Sequence, residues 1–168
     1  MDSGHRLQRK RFGEIAMQTR QQKDALQALE DVQSISGKGE EFQKSYATAV
    51  HRFPFLIRQN GLQQTLAFYA GKAHAKKKES EQDGRNTAEG QFLDQILKTL
   101  SLYRADFSHV DMLEKLAKID MQSYMLHARR CLEVAIWYRR FVETVLKIDA
   151  TGASTEQTTD RGENHDGA

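Results

Sequence analysis

Apolar residues recur every three or four positions through most of this chain, and that spacing predicts helices rather than strands. Between Gln18 and about Ser36 the positions Ala25, Leu26, Ala28, Leu29, Val32 and Ile35 keep the period. The two glycines of the Ser36–Glu40 stretch then end the helix. A second helix is expected from about Glu41 to Arg52, with Phe42, Tyr46, Ala49 and Val50 on one side. Pro54, the only proline, disfavours helical geometry at Phe53 and cannot donate to the carbonyl of Val50. A break or kink is expected there, followed by one or two turns. Asn60-Gly61 comes next. Asn60 suits the N-cap of a helix running from Leu62 to about Lys77, and Gln63 three residues on completes a capping-box pattern. Gly61 can equally be the left-handed residue that closes the preceding turn. Both readings give a helix–helix corner with its backbone N–H groups turned outward.

Residues 76–90 are polar save for Ala88 and read as a loop. Helices resume at about 90–104, carrying Phe92, Leu93, Ile96, Leu97 and Leu100, and at 109–119 behind Ser108 as cap with Asp111 at its third position. The longest runs from about Asp120 to Ile148. Its inner stripe is predicted to be Met121, Tyr124, Met125, Ala128, Leu132, Ala135, Tyr138, Val142 and Val145. The pattern as a whole predicts an all-α, single-domain bundle of about six helices with a long C-terminal helix. The domain is expected over 17–149, between a basic arm at 1–16 and an acidic tail at 150–168, both disordered.

Composition narrows the class. The chain has 168 residues, 39% hydrophobic and 29% charged, which suits one domain with a core of its own. No apolar run approaches the roughly 20 residues that span a bilayer. The first residues lack the apolar stretch of a secretory signal. A cytoplasmic protein without membrane attachment is expected. The single cysteine, Cys131, excludes an internal disulfide and falls on an apolar stripe, where a buried small hydrophobe is expected. The six histidines are scattered, none in an HExxH or Glu-x-x-His pattern, and there is no phosphate-binding glycine loop or GxSxG. No enzyme, metal site or cofactor is expected.

What remains is a surface. Net charge is only +2, but basic residues gather at several points. Arg52 and Arg58 flank the corner, Lys72 and Lys76 lie one turn apart, and Arg129-Arg130 and Arg139-Arg140 are pairs on the last helix. Arg129 and Arg140 return to within about 20° of one another on a helix, with Lys147 near the same line. Such a line could track a phosphate backbone. It could equally be a solvated face, because Glu133 and Glu143 stand four residues after Arg129 and Arg139. Trp137 and Phe141, four apart, suit a core better than a base-stacking platform.

Two motifs carry a resemblance. "PFLIRQNGLQQTLAF" (Pro54 to Phe68) and "WYRRF" (Trp137 to Phe141) resemble the two signatures of the small all-helical subunit of the type III-B CRISPR effector, the Cmr complex. Pro54, Ile57, Asn60, Gly61, Leu62, Leu66, Ala67 and Phe68 match the first. Trp137, Arg140 and Phe141 match the second, with Arg139 where lysine is usual. The run from Met17 to Val32 is also similar to the family's first helix, so the likeness covers about Met17 to Lys147. The resemblance implies a non-catalytic subunit that stacks with further copies of itself along an RNA-guided complex. Other Cmr subunits, CRISPR RNA and target RNA are the implied partners, and the chain is expected to line the groove that receives the target. Arg52, Arg58, Lys72, Lys76, Arg129, Arg139 and Arg140 are the candidate RNA contacts. Pro54, Asn60, Gly61, Leu62, Trp137 and Phe141 are the candidate structural or subunit-contact positions. A helical adaptor that binds only proteins is the alternative.

Overall fold

The computed structural model describes residues 18–79 and 86–151, without the side chains of 76–79. These residues form α1 (Arg20–Ser36), α2 (Glu40–Asn60), α3 (Leu62–Glu79), α4 (Ala88–Thr99), α5 (His109–Ala117) and α6 (Met121–Phe141). A π-helical turn, Val142–Leu146, continues α6 and ends at Lys147 in the left-handed conformation. The architecture is the expected all-α bundle with a long C-terminal helix.

Local chemistry sets most of the helix starts. Thr19, Thr87, Ser108 and Asp120 each accept from the backbone N–H of the third residue of the helix that follows. At Thr19 and Ser108 the return bond from the N-cap amide to Gln22 or Asp111 is also present, so both capping boxes are complete. Those bonds satisfy donors that the first turn of a helix otherwise leaves open.

Two pairings organise the bundle. The first is parallel: α6 lies along α1, with Arg130 donating to Asp24 at 2.9 Å and the Tyr138 hydroxyl donating to Asp31 at 2.6 Å. The second is the hairpin of α2 and α3 about Gly61, tied by the Tyr69 hydroxyl donating to the carbonyl of Ala49 at 2.7 Å. Between them sits α4. Its Phe92 meets the rings of Tyr46, Phe53, Tyr69 and Tyr138 edge-to-face at 5.1–5.8 Å, the geometry that aromatic quadrupoles favour. Cys131 is buried, as expected, and burial pushes its thiol up to about 12.

Four expectations need correction. Pro54 does not break α2, which stays helical from Glu40 to Asn60. Phe53, Pro54 and Ile57 are all buried, and that packing holds the proline turn in place although Pro54 has no N–H to give. Asn60 is the last residue of α2 rather than the cap of α3. Gly61 takes the cap position, donating to Ile57 at 2.9 Å and accepting from the Thr65 amide at 3.2 Å. The expected loop is partly helical, because α3 reaches Glu79 and α4 starts at Ala88, before the predicted 90; residues 80–85 lie outside the described residues. Finally, Met121 and Met125 are exposed, 75% and 62%. Helix geometry explains it: the buried side of α6 runs through Cys131, Val134, Ala135 and Tyr138, and Met121 and Met125 lie roughly 90–130° round the helix from it. The expected stripe is rotated from the buried one, and its two N-terminal methionines fall outside it. The arm at 1–16 and the tail from 152 on lie outside the described residues.

Candidate nucleic-acid interface

The candidate cations are not equivalent once folded. Arg129 bonds to Glu133 at 3.0 Å, the i, i+4 pair the sequence allowed. It lies by a cleft of about 450 Å³ with Arg20, His127 and Arg130, and Arg130 is itself held by Asp24. Charge there is largely answered from within the chain. Lys147 leaves the line of Arg129 and Arg140, because the π turn shifts the register and Lys147 has a positive φ of 57°.

Arg52, Arg58, Arg139 and Arg140 stand differently. All four are exposed, and none has an ion pair among the described residues. Lys72 lies 5.4 Å from the centre of the Phe68 ring, a cation–π contact that leaves its charge uncompensated. Lys76 belongs to α3 by its backbone, but its side chain is outside the described residues. Trp137 and Phe141 stack on each other at 6.0 Å and are half-buried against the core, so they are packing residues rather than open platforms.

The corner is also more internal than expected. The Gln63 amide, expected to point outward, donates to the Tyr124 hydroxyl of α6 at 3.0 Å. The Gln63 side chain donates to the Leu113 carbonyl at 3.1 Å. A Cβ on Gly61 would meet the same hydroxyl at 3.6 Å. Leu62 is fully buried. What approaches the Gly61 backbone is therefore this chain's own α6. No local sequence pattern could have named Tyr124, which lies sixty-one positions from the amide it caps.

Folding gives meaning to one signal that the pairwise reading passed over. Between Phe42 and Lys78 the sequence has seven basic residues and not one aspartate or glutamate. Those residues make up nearly the whole α2–α3 hairpin. The acids of the described structure lie outside that run, on the first turn of α2, at the last residue of α3 and on the other elements. Two of the exposed large hydrophobic residues, Phe55 and Phe68, also lie on this hairpin, and among the described residues they are the only aromatic ones. Apart from Lys44, which pairs with Glu40, the hairpin cations make the local field more positive than the net charge suggests. Among the described residues no three His, Cys, Asp or Glu side chains gather as metal ligands, and no helix is long and apolar enough to cross a membrane.

Comparison with known proteins agrees with the motifs. The family model for the CRISPR-associated protein Cas_Cmr5 matches residues 20–145. The crystal structure of a CRISPR-associated Cmr5 family protein from Thermus thermophilus superposes with a TM-score of 0.58 at 25% identity, over 77% of this chain and 99% of that one. No curated protein sequence matches. With three quarters of its length matched by the family model and its fold shared with a solved member, the chain belongs to the Cmr5 family and is a CRISPR-associated small subunit of the Cmr type.

Proposed function

We propose that this chain is a non-catalytic small subunit of a type III-B CRISPR effector in the cytoplasm, acting in antiviral defence. It stacks with further copies of itself beside the other Cmr subunits and lines the groove that holds the guide RNA–target RNA duplex. One observation carries the reading: the α2–α3 hairpin is free of acidic residues from Phe42 to Lys78 while exposing Arg52, Arg58 and Lys72. Base pairing with the guide supplies sequence recognition, so a groove-lining subunit needs backbone contacts and shape alone. Arginines on a helix, without a base-reading motif, suit that task.

The adaptor reading draws on a different face. Met121, Met125 and Leu126 are exposed on the first turns of α6, apolar surface of the kind subunit contacts use. A protein-only adaptor predicts no salt-sensitive affinity for RNA. Fluorescence anisotropy of a labelled RNA with the full-length chain, across a salt series, separates the two. The RNA reading expects the logarithm of affinity to fall linearly with the logarithm of salt, by about 0.7 to 0.9 per phosphate contacted. Absence of binding even at low salt, alone and with the other Cmr subunits present, rejects it.

A further inference from the structure

Phe55 is the residue on this surface that backbone tracking leaves unexplained. It is 60% exposed in the middle of the acid-free run. Every other described phenylalanine has a ring or a cation against it: Phe42, Phe68 and Phe107 have lysines or an arginine over them, and Phe53, Phe92 and Phe141 meet other rings. Phe55 has neither. Arg52 and Arg58 stand three residues before and after it. They therefore flank it by about 60° on either side of the helix and span about 9 Å along the axis. Neither has an ion pair among the described residues.

A paired, A-form duplex has little use for such a ring. Its bases are stacked on one another, and a protein surface meets phosphates, 2′-hydroxyls and groove edges. An open aromatic face between two cations fits an unpaired nucleotide, whose base stacks on the ring while its phosphates meet the flanking charges. We propose that Phe55 is a stacking platform for an unpaired base, with Arg52 and Arg58 holding the adjoining phosphates. The α2 face then holds a locally unpaired nucleotide of the RNA whose backbone it lines. This deepens the RNA-lining reading and rests on it.

The test uses the full-length chain with three RNA probes of one sequence: a single strand, a full duplex, and a duplex with one unpaired 2-aminopurine. Phe55→Leu keeps an exposed apolar side chain of similar size and removes the aromatic face. It should weaken binding of the single strand and of the bulged duplex by about 5- to 150-fold per stacked base, and leave the full duplex unchanged. The wild type should quench 2-aminopurine fluorescence in the bulged probe, Phe55→Leu should not, and Phe55→Trp should restore both affinity and quenching. Equal affinity of Phe55→Leu and wild type for all three probes overturns the platform while leaving the RNA reading standing. So does an equal loss on all three, or failed assembly with the Cmr subunits at unchanged RNA affinity, the mark of a protein contact. If the wild type binds none of the probes, both readings fall. Arg52→Glu combined with Arg58→Glu should weaken all three probes, since the arginines act on phosphates whatever the pairing.

Discussion

Gly61 shows how much a single backbone position can fix. Its φ of 80° and ψ of 168° lie in a region that only glycine enters at low cost. Space is not the obstacle, because an added Cβ would be at ordinary contact distance from the Tyr124 hydroxyl. The cost of Gly61→Ala is therefore backbone strain, about 1–3 kcal/mol, read as a fall in chemical-denaturation midpoint. A midpoint equal to wild type would show that the corner relaxes freely. Tyr124→Phe tests the other half of the junction. It leaves the Gln63 amide without its acceptor and should cost about 1 kcal/mol. The sequence showed that a corner stands at Asn60-Gly61 and that Gly61 could close a helix. It could not show that the next helix is capped from α6, because that bond spans sixty-one positions and depends on the packing of three helices.

The carboxylates make a second residue-scale case, with opposite signs. Burial raises the pKa of Asp31 above its usual value, against the hydrogen bond from Tyr138. A raised value in the folded state means that the contribution of Asp31 is full below about 3.8, the ordinary aspartate value, and is lost as pH climbs through the folded value. Asp111 and Asp120 run the other way. The Ser108 and Ser123 hydroxyls donate to their carboxylates and hold them below the usual range, so their contribution is present above about 3.8 and lost as pH falls through the lowered values. Asp31→Asn keeps an acceptor for Tyr138 without the charge. The stability of this variant relative to wild type should improve on going from pH 3.5 or so towards neutral. A ratio of unfolding constants independent of pH would mean Asp31 titrates alike in both states.

At the scale of the helix, Pro54 is where local preference and tertiary packing disagree. An interior proline costs a helix about 3 kcal/mol, which is why the sequence argued for a break. The fold accepts that cost to keep Phe53 and Ile57 on one continuous buried face of α2. Pro54→Ala restores the missing N–H and loses two buried methylenes, roughly 1.6 kcal/mol. The balance favours a small gain, on the order of 1 kcal/mol, in a denaturant titration. A clear loss instead would show that the proline geometry itself seats the neighbouring rings. The methionines of α6 carry the complementary lesson. Their period was helical and their helix formed, yet Met121 and Met125 face outward because they lie to one side of the buried stripe through Cys131, Val134, Ala135 and Tyr138. Periodicity reveals that a helix has an apolar side; where its neighbours pack decides which edge of that side is covered. The capped start of α5 was legible for the opposite reason, since Ser108 and Asp111 supply every atom of that device within four residues.

For the whole molecule the question is which charges are available to a polyanion, and folding ranks candidates that the sequence had to treat alike. Arg129 is answered by Glu133. Reversing it to Glu exchanges an internally paired charge for a like-charge pair on the helix and should disturb RNA affinity weakly. Arg52 and Arg58 lie on the acid-free run of the hairpin, and Arg139 and Arg140 on the exposed side of α6, all four without an ion pair among the described residues. Replacing either pair by glutamate should leave the helical circular dichroism and the melting temperature near wild type, because the side chains are exposed. RNA affinity should fall, and the slope of log affinity against log salt should flatten by about 0.7 to 0.9 for each phosphate contact removed. The slope is the decisive measurement, since a folding defect lowers the active fraction at every salt alike and leaves the slope unchanged. The hairpin pair and the α6 pair should each flatten it, and the quadruple variant should flatten it by their sum if one RNA path touches both. If the hairpin pair flattens the slope and the α6 pair does not, the groove runs along α2 and α3 alone, and Arg139-Arg140 is the solvated face that the sequence left open.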